Sequence, residues 1–248
     1  MFLVRLLNNF IAAFRLLLIL ISMAGYFSWF LIRRSLKDDK LAYGLLIQQR
    51  YARLALRIFN THVTVEGEPI SGPALYVSNH RSLLDPIIIH SRIKAMSLAK
   101  AEIANYPILG PAVKSTGIIF VDRGNKNSRA EAKDAIVVNL EAGNSVVVYP
   151  EGTVSGEITT LPFHKGSFEK AIEANVPVVP ITLIYNHSKF HWYHMSTLTY
   201  YFKSFGWNTA DVHMVIGQPI WSKSALGLAN QSQEVINNTL LTHSAISK

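Results

Sequence analysis

The segment Val77-Ser78-Asn79-His80-Arg81-Ser82-Leu83-Leu84-Asp85-Pro86 carries an imidazole and a carboxylate five positions apart, where an apolar run gives way to a helical pattern. On an ideal helix such residues point about 140° away from each other. With His80 in the turn just before the helix, both side chains can instead face one cleft. A carboxylate on one imidazole nitrogen fixes the tautomer and stabilises the imidazolium, and the other nitrogen removes a proton from a hydroxyl. The plainer alternative is a helix-start histidine beside a first-turn Asp85 that the helix dipole favours anyway.

Three further stretches could line the same cleft. Gly117-Ile118-Ile119-Phe120-Val121-Asp122-Arg123-Gly124 reads as a buried strand ending at Arg123, whose planar donors suit a phosphate. Val146-Val147-Val148-Tyr149-Pro150-Glu151-Gly152-Thr153 is an apolar strand running into a polar loop, so that Glu151, the Gly152 amide and the Thr153 hydroxyl reach the sheet edge of His80. Phe163-His164-Lys165-Gly166 leads into a helix whose exposed amides favour anions, and Val176-Pro177-Val178-Val179-Pro180 opens the next strand. Taken singly, a surface arginine in a turn and a simple turn explain the first two equally well.

These loops need a sheet behind them. Short apolar runs predict strands at His62–Val65, Ala74–Ser78, Ser97–Ala99, Gly117–Val121, Ser145–Tyr149, Val178–Ile184 and Val212–Ile216. Helical patterns fall at Leu83–Ile93, Ser128–Ala142, Ser167–Ala174 and Ser224–Thr242. Strands alternating with helices predict an α/β fold, a mixed and mostly buried sheet flanked by helices. We read residues 61–221 as one catalytic domain, 1–60 as a membrane-associated helical segment, and 222–248 as a C-terminal helix and tail.

The amino-terminal reading rests on Leu16–Ile32, which holds no charged residue and is bracketed by Arg15 and Arg33–Arg34. As a helix it spans about 25 Å, the short end of a bilayer crossing. Extending it back to Phe10 would require Arg15 to snorkel. A signal peptide and a buried core helix are the rival readings. The cations Arg33, Arg34, Lys37 and Lys40 outnumber Arg5 and Arg15, which places the body on the cytoplasmic face. Leu41–Phe59 reads as a basic amphipathic helix, resting on anionic lipid or on the domain itself.

Composition agrees with a lipid-facing protein: 248 residues, 49% hydrophobic, 16% charged, with a formal charge of +8. The cationic surface suits acidic headgroups or an acidic carrier protein, and no nucleic-acid-binding pattern appears. The absence of cysteine excludes disulfides, thiolate zinc sites and cysteine nucleophiles. His187, His191 and His194 lie among Phe190, Trp192 and Tyr193 with no carboxylate alongside; an interfacial aromatic loop and a metal site are the two readings.

The ordered set Asn79-His80-x4-Asp85, Phe120-Val121-Asp122-Arg123, Tyr149-Pro150-Glu151-Gly152-Thr153 and Val176-Pro177-Val178-Val179-Pro180 resembles the four blocks of the lysophosphatidic acid / glycerol-3-phosphate acyltransferase superfamily, over about residues 60–220. The resemblance implies that His80 is the general base on an acceptor hydroxyl and Asp85 its orienting partner, with direct attack on an acyl thioester. It implies that Arg123 holds an anionic headgroup and that Glu151, Gly152 and Thr153 shape the acceptor site. Lys100 stands where relatives often carry a basic residue after a strand. The donor would be acyl-coenzyme A or acyl-carrier protein, the acceptor a lysolipid, with no bound cofactor or metal. Relatives commonly place Arg or another longer polar residue after Glu-Gly-Thr, and this chain has Val154, a departure that removes one anion contact. The long insert before Gly217 also resembles relatives that acylate lyso-aminolipids such as lyso-ornithine lipid. Two other classes stay open on the residues alone: a lipid hydrolase using Ser78 or Ser82, although no Gly-x-Ser-x-Gly elbow is present, and a non-enzymatic peripheral membrane protein.

Overall fold

The computed structural model describes residues 2–246 except 107, 108, 115, 116, 123 and 207. Seven strands form one sheet: β1 (Thr61–Glu66), β2 (Leu75–Ser78), β3 (Met96–Lys100), β4 (Ile119–Val121), β5 (Val146–Val148), β6 (Val178–Tyr185) and β7 (Ala210–Ile216). Their order is β1-β7-β6-β2-β5-β3-β4. All neighbours are parallel except β6 and β7, so β2, β3, β4, β5 and β6 share one direction. Their carboxyl ends therefore form a single edge, the usual place for a binding crevice in such a sheet.

Alternation along each strand divides the core in two. Tyr76, Val147, Val179, Ile181 and Leu183 face a layer built by three helices: α1 (Phe2–Arg34), α2 (Lys40–Ile58) and α3 (Asp85–Arg92). A fourth helix, α7 (Thr197–Ser204), closes that layer through Tyr200 and Tyr201. Leu75, Val77, Val146, Val148 and Val178 face the opposite layer, which includes α5 (Lys126–Glu141), α6 (Gly166–Glu173) and α8 (Ala225–Ile246). A short helix α4 (Leu109–Lys114) precedes β4. Covered on both faces, the central strands β2, β5 and β6 read as apolar runs, whereas β1 and β7 alternate buried with more exposed residues.

Helix α1 is long and apolar enough to cross a membrane by length and composition. It is also docked. Ala12, Ile19 and Phe30 are buried, the Tyr201 hydroxyl donates to the Ala12 carbonyl, and Tyr51 donates to the Ile19 carbonyl. The Arg15 guanidinium, which would have to snorkel if the apolar span began at Phe10, donates to the carbonyls of Phe205, Gly206 and Asn208. Leu3, Leu7, Phe10, Phe14, Leu17 and Ile21 remain exposed on the other side. Helix α2, read from sequence as lying on lipid or on the domain, buries Leu45, Ala52, Ala55 and Leu56 against the body, and Arg53 donates to the Ser91 carbonyl.

The α7 helix and two single 3-10 turns, Ala101–Asn105 and Ser188–Phe190, have no counterpart in the sequence expectations. Helix α7 is amphipathic and only two turns long, and Ser196 caps it by accepting from the Thr199 amide.

Candidate active site

Strand β2 ends at Ser78 and the chain turns before α3. Asn79, fully buried, holds that turn to β6 by accepting from the Leu183 amide at 2.8 Å and donating to the Leu183 carbonyl at 2.9 Å. Helix α3 then starts on Asp85 and Pro86, where a proline lacks nothing because first-turn amides have no helical partner. His80 thus lies outside the helix and Asp85 in its first turn, the condition under which the pair can converge.

They do converge. His80 Nδ1 lies 2.7 Å from Asp85 Oδ2. The carboxylate, with no exposed surface, also accepts from the amides of Arg81 at 2.6 Å and Ser82 at 2.8 Å, and from the Tyr185 hydroxyl on Oδ1. A carboxylate only accepts, so Nδ1 carries the imidazole proton and Nε2 presents a lone pair. No residue bonds Nε2 among the described contacts, and the His80 side chain is 19% exposed. The ring stacks on Tyr149, centroids 4.2 Å apart and planes at 22°. Burial, reinforced by the Asp85 charge, pushes both Tyr149 and Tyr185 well above the usual phenol range, so both stay protonated. Chemically, an imidazole held this way at the carboxyl edge of the sheet, with Nε2 unbonded among the described contacts, can act as a base.

Glu151 follows β5, the strand beside β2, and is 4% exposed. Its Oε1 accepts the His80 amide at 2.8 Å; its Oε2 accepts the Leu161 amide at 2.8 Å and faces Arg81 Nη1 at 3.4 Å. Gly152 takes a positive φ of 71°, and the exposed His164 ring sits against it. Thr153 is exposed, while Val154 is half-buried. Lys100 is exposed at the end of β3, two strands from β2 and so on the order of 10 Å away at ordinary strand spacing. Arg123 lies outside the described residues; next to it, Asp122 accepts the Gly124 amide at 2.9 Å.

Several contributors were not singled out from sequence. Tyr185, at the end of β6, could have been suspected only from its place at a strand terminus. Arg81 and Tyr149 sat inside recognised blocks without an assigned part. His191 meets the Tyr185 ring edge-on at 5.9 Å, and burial with the nearby Arg81 charge lowers its pKa. His187 spends Nδ1 on the Lys189 amide, and among the described residues no group of three ligating side chains converges. The two serines weighed as nucleophiles are both fully buried: Ser78 donates to the Asn79 carbonyl, and Ser82 Oγ meets the Tyr200 hydroxyl at 2.6 Å. Neither bonds an imidazole, which leaves a serine hydrolase without its nucleophile–base contact.

Residues 62–184, a run holding both His80 and Asp85, match the family model described as Acyltransferase. The chain belongs to the Acyltransferase family. Among its relatives in this family, the 1-acyl-sn-glycerol-3-phosphate acyltransferase of Limnanthes alba is 32% identical over 152 residues, 60% of this chain and 54% of that protein. The lyso-ornithine lipid O-acyltransferase of Pseudomonas aeruginosa is 31% identical over 123 residues, 50% of this chain and 47% of that protein. The chain spans about half the length of the curated relatives it matches. In fold, it resembles the crystal structure of the 1-acyl-sn-glycerophosphate acyltransferase PlsC from Thermotoga maritima, with a TM-score of 0.80 over 96% of both chains at 22% identity. The mixed sheet flanked by helices, and the apolar helix before it, are thus the architecture of this acyltransferase fold.

Proposed function

We propose that this protein is an O-acyltransferase that moves a fatty acyl group from an acyl thioester, acyl-coenzyme A or acyl-carrier protein, to the hydroxyl of a lysolipid. The acceptor is 1-acylglycerol 3-phosphate and the product phosphatidic acid. His80 Nε2 takes the hydroxyl proton, the oxygen attacks the thioester carbonyl, a C–O bond forms and the C–S bond breaks. The proton held on His80 then passes to the departing sulfur, with Asp85 balancing the imidazolium meanwhile. Lys100, Arg123, Gly152 and Thr153 serve the acceptor's anionic headgroup, and Glu151 belongs to the same loop. The lipid reaches the site from the membrane against which the exposed face of α1 rests, with the catalytic domain on the cytoplasmic face.

The observation that carries this reading is the His80–Asp85 contact of 2.7 Å with Nε2 left open. The test is His80→Ala, assayed with acyl-coenzyme A and 1-acylglycerol 3-phosphate. Transfer falls by about three orders of magnitude or more while membrane binding persists; undiminished turnover overturns the reading.

Val154 favours a second acceptor. With no arginine after Thr153, a lyso-aminolipid such as lyso-ornithine lipid fits the site with one anion contact fewer. Assaying both lysolipids side by side decides between them.

A further inference from the structure

Arg81 is among the largest fully buried side chains of the protein, 2% exposed, and the acyl-transfer chemistry gives it no part. Both of its terminal nitrogens, its amide and its carbonyl are directed at protein. Its Nη1 faces Glu151 Oε2 at 3.4 Å and the Ser155 carbonyl at 3.3 Å, and Nη2 donates to the Thr159 carbonyl at 2.9 Å. Its amide donates to Asp85 and its carbonyl accepts the Trp192 amide at 2.6 Å. The loops that follow β2, β5 and β6 therefore meet on this one residue.

Glu151 is the other half. A buried guanidinium is tolerated only when its planar donors find acceptors, and a buried carboxylate only when donors and a cation surround it. Here each supplies the other's need. Glu151 then has its Oε1 on the His80 amide and its Oε2 on the Leu161 amide. At 4% exposure, the carboxylate has no surface left for a lysolipid. His80 is thus gripped at both ends, at its ring by Asp85 and at its amide by Glu151, and the direction of Nε2 depends on both.

We propose that Arg81 and Glu151 are a positioning pair for the His80 base and that Glu151 makes no contact with the acceptor. This departs from what the family resemblance implies for Glu151, and it rests on the acyl-transfer reading above. A displacement of the base by 1 Å is enough to lower turnover by about 100-fold.

The test compares Arg81→Met, Glu151→Gln and the double variant in the full chain. Two readouts are taken: kcat and acceptor KM for acyl transfer to 1-acylglycerol 3-phosphate, and the rate of His80 modification by diethyl pyrocarbonate followed by mass spectrometry. Each single variant lowers kcat by about 30- to 100-fold with acceptor KM within about twofold, and the double recovers about tenfold over Arg81→Met because no buried charge is left alone. His80 modification changes about threefold or more in the singles and returns towards wild type in the double. A Glu151→Gln variant that keeps kcat and raises acceptor KM about tenfold overturns the proposal, since that is the mark of a lost ground-state contact. So does a double variant no better than the worse single. If the wild type shows no His80-dependent transfer, the acyl-transfer reading fails; the modification rates then decide the pair alone, and unchanged rates in both singles overturn it. Where Arg81→Met does not fold, Arg81→Lys, which keeps the charge and loses the planar fork, takes its place with the same expectations.

Discussion

The hydroxyl of Tyr185 donates to Oδ1 of Asp85, so the carboxylate that orients His80 is itself held from a strand 100 positions further along the chain. The two amides and the imidazole crowd onto Oδ2, leaving Tyr185 as the only donor to Oδ1 among the described contacts. Replacing Tyr185 by Phe keeps the ring packing and removes that donor. We expect kcat to fall by about tenfold with acceptor KM unchanged, as for the loss of one hydrogen bond to a charged group. Less than a twofold effect on kcat would show that Oδ2 alone suffices.

Asp85→Asn tests the charge. The amides of Arg81 and Ser82 donate to Oδ2, so the amide oxygen of the variant takes that position and still accepts Nδ1–H, while its NH2 turns to the Tyr185 hydroxyl; what is lost is the negative charge that balances the imidazolium. We expect kcat to drop by about two orders of magnitude with the fold intact, measured by steady-state transfer alongside circular dichroism.

A second histidine governs stability instead. His90 in α3 is 4% exposed and bonds Ser97 at 2.6 Å through Nε2, and burial lowers its pKa from the usual 6.5 to about 4. Its folded pKa lies below the unfolded value, so between about 6.5 and 4 the unfolded chain binds the extra proton. This contribution to stability is therefore whole above that window and is lost as pH falls through it. Denaturant titrations at pH 7 and pH 5 should differ by roughly 2 kcal/mol from this group, and His90→Gln should remove most of that difference.

Arg15 pins α1 to the end of α7. Arg15→Met leaves the carbonyls of Phe205, Gly206 and Asn208 without their charged donor. We expect faster amide hydrogen exchange across residues 8–30, corresponding to about 1–3 kcal/mol of local stability, with little change around Asp85.

Val154→Arg introduces the arginine that the family resemblance leads one to expect after Glu151-Gly152-Thr153. It should lower the KM for 1-acylglycerol 3-phosphate by about tenfold, the worth of one charge-assisted phosphate contact, and leave that for lyso-ornithine lipid unchanged. Equal effects on both acceptors would place Val154 away from the headgroup.

What was legible in the sequence was whatever depends on local pattern. The strands around Leu75–Ser78 and Val146–Val148 are buried on both sides, so their apolar runs announced them, and the His80–Asp85 spacing acquired meaning from its place between a strand and a helix. The apolar stretch of α1 was equally plain. Tertiary structure decided everything that needed two distant segments to meet. It sent Arg15 to backbone carbonyls rather than to headgroups, because α7 arrives beside it from nearly 190 positions away. It also buried Glu151 against Arg81 and brought Tyr185 to Asp85. Those pairings arise because parallel strands bring their carboxyl ends to one edge whatever their separation in the chain. Side-chain periodicity records which face a residue takes, and carries no information about which strand will be its neighbour.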